Sequence, residues 1–460
     1  MRTYSLAYIV FISCVAAIGG FLFGFDSAVI NGTVSAITEA FGSTSVGTGF
    51  SVASMLLGCA VGAIYAGNIA DRMGRRPVMI IASLLFFVSA VGSGGATSAS
   101  VFIVFRVLGG LAVGAASVIA PAYISEISPE QIRGRLASLQ QLAIVVGIFM
   151  AFVSNYIIAS IAGGASAPFL FGFGAWKWMF WAEGLPAIAY FVLALIIPES
   201  PRYLVANRDE EAARKVLYKV WGREGIDNKI REIRETVNTE RKPSFTDIFS
   251  GGKILPIVMV GIFLSVFQQF VGINVVFYYG AVLWEASGFS ESASLFINVL
   301  SGTINILSTL VAICLIDKIG RKALLLGGSI GMMLTLGTMT IVFTFAEVAA
   351  TGQLHLTRSG AITALLSAHF YIFFFGVSWG PCVWVMLGEM FNNKIRGAAI
   401  STAASAQWIA NFLITITFPI ILAGMGLFGA YGLYTLCAFL SIIFVLKFVK
   451  ETKGKTLEEM

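Results

Sequence analysis

Apolar residues dominate the chain in runs of about 20, separated by short polar stretches that hold most of the charge. A helical run of that length crosses roughly 30 Å of hydrocarbon at 1.5 Å per residue. Twelve such runs can be placed. The first six lie near 8–30, 48–70, 78–96, 101–124, 135–160 and 177–198. The second six lie near 254–284, 293–316, 323–346, 361–388, 398–423 and 428–449. Backbone groups in lipid must be satisfied within their own segment, so all twelve are predicted as α-helices, here called spans 1–12. The first run is too long for a signal-peptide core and no small-x-small cleavage site follows it, so it is expected to stay as span 1.

Composition and charge sharpen this pattern. The chain is 57% hydrophobic and 12% charged, against roughly 25% charged in a soluble domain. Of its 54 charged side chains, 22 fall between Glu199 and Lys253. The loop after span 2 holds Arg72, Arg75 and Arg76; that after span 4 holds Arg133 and Arg135; those after spans 8 and 10 hold Lys318, Arg321, Lys322, Lys394 and Arg396. The loop after span 3 and the turn near Gly424–Gly429 carry no charge. The positive-inside rule then puts both termini and the Glu199–Lys253 segment in the cytoplasm. A basic rim accounts for the net charge of +6 without nucleic acid. The five cysteines form no metal or redox spacing and read as small buried apolar residues. Asn31-Gly32-Thr33 is a formal glycosylation sequon lying close to the membrane.

The chain reads as two copies of one unit. "DRMGRRP" from Asp71 matches "DKIGRKA" from Asp317. Glu126 and Arg133 are seven apart, as are Glu389 and Arg396. "PESPR" around Glu199 and Arg202 follows span 6, and "KETKG" around Glu451 follows span 12. Six spans plus six parallel spans is the plan of a two-bundle secondary transporter, with substrate between the bundles near the midplane. Basic residues alone would only hold loops inside. Acids at fixed spacing beside them suggest cytoplasmic ion-pair gates, Asp71 with Arg75 and Glu126 with Arg133, latching the inner side in one state.

"GNIADRMGRRP", "PAYISEISPEQIRGR", "PESPRYL", "QQFVGINVVFYY", "SWGPCVWVMLGEMF" and "ETKGKTLEE" resemble the sugar porter family of the major facilitator superfamily, over essentially the whole chain. The likeness is nearest to bacterial proton-coupled xylose and glucose transporters. It implies an all-α membrane protein with two six-helix bundles, 1–198 and 254–449, a cytoplasmic helical linker domain at 199–253, and a tail at 450–460. It also implies alternating access of a hexose or pentose across a bacterial inner membrane. Two complete bundles leave no need for a partner subunit, so a working monomer is expected, and with no nucleophile–base constellation, phosphate loop or metal spacing no cofactor, metal or catalytic residue is expected.

A sugar offers hydroxyls that both donate and accept, and flat C–H faces. Neutral amides and aromatic planes suit it in a dry cavity. Span 7 supplies Gln268, Gln269 and Asn274, and span 11 supplies Gln407, Trp408 and Asn411. Gln268 and Asn274 lie about 120° apart on a regular helix, so they converge only if span 7 bends near Gly272; Gly380-Pro381 offers a bend in span 10. Amides in membrane helices also act as structural glue, and that reading stays open. The resemblance carries sugar contacts onto Gln141, Gln268, Gln269, Asn274, Asn305, Trp384, Gln407 and Asn411, and places Trp408 on the cavity wall. Phe23, Tyr278 and Tyr279 are expected in the cavity or its outer gate.

One carboxylate, Asp26, sits in the middle of span 1; Arg106 and Glu183 lie in spans 4 and 6 of the same half. Intramembrane charges face the bundle interior and pair with one another. In the resembling proton-coupled porters an aspartate and an arginine occupy these positions, and Glu183 matches a further acid beside them. A carboxylate paired in one state and dry in the other can carry a proton. A static bridge in a facilitative uniporter is the main alternative, and a membrane sugar sensor is a second. "GFD" at Asp26 and "GIN" at Asn274 fall at matching places in the two halves.

Overall fold

The structure is a computed structural model. It describes residues 5–129, 132–207, 209–222, 225–239, 245–250, 252–348, 354–391 and 395–453. Among the described residues, eleven helical segments are long and apolar enough to cross a membrane. The last, Arg396–Phe448, holds both spans 11 and 12, because the chain turns at Gly426 alone (φ 68°, ψ −171°) with no loop between them. All twelve predicted spans are therefore present. Glycine suits that turn because a side chain there would crowd the following carbonyl.

Most spans are long single helices: Leu6–Val29, Ser45–Met73, Arg75–Gly95, Ala99–Ile127 and Arg133–Ala162 for spans 1–5. Span 6 is split into Ala175–Ala182 and Gly184–Ile196. Span 7 is split into Pro256–Phe270 and Ile273–Ala286, and span 10 into Arg358–Val377 and Trp379–Glu389. Spans 8 and 9 are Glu291–Ile319 and Arg321–Thr344. Between the halves lie helices Pro201–Ala206, Glu210–Trp221 and Ile226–Thr239, which bury a small core of Val205, Ala213, Leu217 and Ile230.

Lipid gives helices no hydrophobic reason to associate, so close backbone approach has to do it. Glycines provide the room. A Cβ on Gly110 of span 4 would lie 1.9 Å from Met55 O in span 2, and one on Gly58 of span 2 would lie 2.1 Å from Val107 O. Spans 1 and 5 meet in the same way, with Gly24 against Ile144 O and Gly147 against Phe21 O, both at 2.0 Å. Span 5 also packs along span 8, and span 2 along the helix of spans 11 and 12, which joins the halves.

Each half closes its basic end with the same clamp. In the first, Arg75 pairs with Asp71 (3.0 Å) and Glu126 (2.9 Å) and donates to Ala70 O (3.0 Å). In the second, Arg321 pairs with Asp317 (3.0 Å) and Glu389 (2.8 Å) and donates to Ile316 O (3.1 Å). Glu199 accepts the N–H groups of Arg75 and Arg76 at the start of span 3; Glu451 accepts those of Arg321 and Lys322 at the start of span 9. A carboxylate there satisfies orphan donors and suits the helix dipole. Ser200 bonds Glu126 and Thr452 bonds Glu389, completing the likeness.

Glu126 joins Arg75 from a neighbouring span, and its expected pairing with Arg133 falls on a side chain outside the described residues. Glu389 likewise joins Arg321, while Arg396 Nε donates to Phe391 O at 3.3 Å. Arg76 turns to the end of span 6, donating to Ala194 O and Leu195 O, and Arg202 lies on the short helix after it.

Two predictions follow from this packing. Gly110→Ala should destabilise the protein by about 1–3 kcal/mol or more through overpacking; an unchanged melting temperature in detergent would contradict the contact. The two capping carboxylates should respond oppositely to pH. Burial pushes Glu451 up, but the N–H groups of Lys453, Arg321, Lys322 and Thr452 outweigh it and hold the carboxyl below the usual range. Glu199 is more deeply buried, and desolvation outweighs its N–H bonds and holds it above that range. Glu451 thus contributes stability above the ordinary glutamate pKa, lost as pH falls through its lowered value. The Glu199 contribution is full at low pH and is lost as pH rises through its raised value. The melting-temperature gap between wild type and Glu451→Gln should close on acidification, and wild type should gain on Glu199→Gln; parallel trends would refute the distinction.

Candidate functional site

Asp26, Arg106 and Glu183 come together in the core of the first half, each at most 1% exposed. Span 1 brings Asp26 to span 4, where Arg106 Nη1 pairs with Asp26 Oδ1 and Nη2 donates to Asp26 O (3.0 Å). The guanidinium also touches Met55 Sδ (2.9 Å) and lies over the Phe180 ring, 5.7 Å from its centroid. Gly109 leaves the space for Asp26: a Cβ there would lie 2.7 Å from Oδ2 and 2.4 Å from Ser89 Oγ. Glu183 sits at the interruption of span 6, close enough to feel the charges of both Asp26 and Arg106. With both groups ionised, its two carboxyl oxygens and Asp26 Oδ2 find no donor, but the two carboxyls lie close enough for a proton on one to bond the other. Two buried carboxyls therefore face one guanidinium and each other.

In the second half, span 7 breaks at Gly272 (φ 90°, ψ 12°), as its amide spacing requires. The break frees carbonyls, and Tyr371 OH takes that of Val271 at 2.7 Å. Asn274 Nδ2 donates to Gln269 Oε1 (2.5 Å), Gln269 Nε2 to Gln268 Oε1 (3.3 Å), and Gln268 Nε2 to Trp379 O (2.8 Å) and Gly380 O (3.2 Å). One amide chain thus ties the break in span 7 to the break in span 10. That second break falls at Ser378 (φ −121°, ψ −86°), two residues before Gly380-Pro381. Trp379 is fully buried, its Nε1 held by Ser329 Oγ (2.9 Å) and Leu325 O (3.1 Å). Gln268 is engaged as structural glue here, with Gln269 and Asn274 held beside it.

The other predicted sugar residues lie on spans 5, 8, 10 and 11. Asn411 is buried, with Nδ2 3.4 Å from Tyr278 OH and Oδ1 accepting from Thr415 Oγ1 (3.2 Å). Asn305 is buried near Gly376 of span 10, and Gln407 keeps its Oε1 without a partner. Trp408 meets Phe23 of the first half with ring centroids 6.1 Å apart. Gln141 is half-buried, while its neighbour Gln140 packs against Gly20 of span 1. Trp384 is 43% exposed on the second part of span 10, so it stands open rather than enclosed. Tyr279 gives its hydroxyl to Thr415 O (3.0 Å) and lines a cavity of about 540 Å³ on the face opposite the clamps.

The halves join on that opposite face. Asn31, 1% exposed, donates to Phe277 O (2.8 Å) and accepts from Ala281 N (3.0 Å) and Asn298 Nδ2 (2.8 Å). Ser35 donates to Glu285 (3.0 Å), and Ala165 N to Glu291 (2.6 Å). The ion pairs of the two clamps each close within one half. As a sequence feature Asn31 was only part of a sequon; no signal short of the tertiary contact marks it as a junction. The matched positions of the repeat also diverge. Gly272 is left-handed and breaks span 7, whereas Gly24 stays inside the continuous helix of span 1.

The family model described as sugar (and other) transporter matches residues 12–460. A glucose transport protein of Synechocystis sp. is 58% identical, covering 100% of this chain and 98% of its own. A D-xylose-proton symporter of Escherichia coli is 37% identical, covering 99% and 96%. Among solved structures, the inward open conformation of the xylose transporter XylE from E. coli superposes with a TM-score of 0.83 at 37% identity over 98% of both chains. The proton:xylose symporter XylE bound to 6-bromo-6-deoxy-D-glucose gives 0.79 at 36% over 99% of both. With twelve spans in two halves and matches that run nearly end to end, the chain belongs to the sugar (and other) transporter family and has the twelve-helix major facilitator fold.

Proposed function

We propose that the protein imports a monosaccharide, glucose or xylose by analogy with its relatives, together with a proton, by alternating access. It is a transporter and not an enzyme. The observation that carries the reading is the enclosed set of two carboxylates and one guanidinium in one half, beside an amide chain in the other. One bound proton makes that set neutral. Without it an excess negative charge sits out of water, and removing a partner from a buried pair costs about 3–5 kcal/mol. Driving force is of similar size, about 2.3 kcal/mol for one charge crossing 100 mV.

In this reading Asp26, Arg106 and Glu183 carry the proton. Gln141, Gln269, Asn274, Asn305, Trp384, Gln407, Trp408 and Asn411 face the sugar, and Gln268 holds the two helix breaks in register. The basic loops face the cytoplasm by the positive-inside rule, so the face joined by Asn31 is the outer one and the state described is inward-facing. A fit to the inward open relative supports that assignment. The clamps built on Arg75 and Arg321, with Glu199 and Glu451, brace the cytoplasmic ends of each half; in the outward-facing state these ends approach each other and close the inner side. The linker helices and both termini then lie in the cytoplasm of a bacterium, and one chain suffices for transport.

Two measurements test this. In proteoliposomes under a proton gradient, Asp26→Asn should abolish sugar accumulation above the outside concentration while labelled-sugar counterflow persists. Accumulation by that variant would remove Asp26 from the proton site, absent accumulation by the wild type would support the facilitator, and absent counterflow in the wild type would favour a sensor. In purified protein, Gln269→Ala should weaken sugar binding by about 1–3 kcal/mol, the scale of a buried hydrogen-bonding group left unpaired. Unaltered affinity would remove Gln269 from the site.

A further inference from the structure

The connection between spans 5 and 6 is uncharged from Gly163 to Gly174 and rich in phenylalanine. It is an ordered finger. Pro168 and Gly174 pair across its base, and Phe169 N donates to Phe173 O at 2.7 Å. At its tip Phe171 is 87% exposed and is the single non-glycine residue with positive φ (57°) among the described residues. The left-handed conformation costs an L-residue about 1–2 kcal/mol. Retained strain of this kind asks for a compensating interaction.

Part of that interaction is internal. Phe171 stacks on Trp178 (6.2 Å, 25°), and Trp178 Nε1 donates to Leu170 O at 3.2 Å. Trp178 meets Trp181 edge-on at 5.0 Å, and Trp181 Nε1 donates to Val91 O of span 3 (3.1 Å). These contacts fix the finger but leave its tip bare. They also form an aromatic ladder that runs from the tip down to the outward-facing surface of spans 3 and 6, where Val91 and Ile188 are about half exposed. A cation, Lys177, sits on the first turn of span 6, its amine 5.7 Å from the Phe173 ring centroid and 5.2 Å from that of Trp176. Tryptophan rings with a lysine stem along them are the chemistry of the membrane–water interface, where one end of a side chain is apolar and the other reaches the headgroups.

We propose that the finger dips into the outer leaflet, with Phe171 and Leu170 among the upper acyl chains of phospholipids and Lys177 at headgroup level. Continuity of the ladder with the lipid-facing surface of spans 3 and 6 selects lipid over a protein partner. An uncharged tip with an exposed phenylalanine matches acyl chains, and a rigid finger enters them without paying a large ordering entropy.

The test places p-benzoylphenylalanine at position 171 of the full-length chain, an aromatic replacement at a surface site. The protein is irradiated in liposomes of phosphatidylethanolamine and phosphatidylglycerol, and adducts are read by mass spectrometry. Ile188, on the lipid-facing surface, gives the reference yield; Phe249, exposed on the basic face, gives the background. Phospholipid adducts at 171 should approach the Ile188 yield. A yield no higher than that of Phe249, or adducts chiefly to a second copy of the chain, would overturn the proposal. The same probe at Leu170 supplies an independent reading if the position 171 variant does not assemble. Neither readout depends on transport, so failure here and failure of the symport reading are separable.

Discussion

Polar groups placed in hydrocarbon have no water to turn to, and nearly every feature of this protein answers that constraint. It makes the spans helical. It also dictates what happens where a helix is interrupted: the carbonyl left free at Val271 is taken by Tyr371, and Gln268 beside that break donates to the carbonyls of Trp379 and Gly380 just past the break in span 10. The glycine contacts between spans 2 and 4 and between spans 1 and 5 belong to the same economy of a medium without a hydrophobic drive between helices. Against this background the Asp26–Glu183 contact stands out, because two carboxyls side by side in a dry core leave an excess charge out of water unless one of them carries a proton.

The two halves share a plan and diverge where they work. Their basic-end clamps agree residue for residue, from the arginine that grips the carbonyl five residues before it to the hydroxyl on the second glutamate. The midplane does not agree. A glycine in each half precedes the polar residue at the matched position, yet span 1 runs straight past Gly24 while span 7 breaks at Gly272. Close packing against span 5 explains the straight helix, since Gly24 admits the Ile144 carbonyl. The result is a rigid charged set in one half and a jointed neutral chain of amides in the other, with the halves joined at Asn31.

Much of this was legible from the chain alone. Span number, the paired repeat, the basic loops and the Asp26–Arg106 pair all came from length, charge and offset, which are local or pairwise properties of the sequence. The bend in span 7 was legible too, because Gln268 and Asn274 cannot face one ligand on a regular helix. The single-residue turn at Gly426 was not foreseen as part of one continuous helix, since a glycine between two apolar runs looks the same whether it makes a tight turn or a loop.

What the sequence by itself determined is which segments enter the membrane and which residue types they carry there, because apolar length and the absence of charge act segment by segment. The tertiary structure alone decided the partners. It gave Glu126 to Arg75 and Glu389 to Arg321, engaged Gln268 with span 10, and turned Asn31 from a surface sequon into the buried junction of two halves. It also decided which face is joined and left Phe171 bare at the tip of an ordered finger. Contacts of that kind depend on how helices far apart in the chain pack side by side, and a hydrogen bond a few ångströms long is too sensitive to that packing to be read from spacing along one strand of sequence.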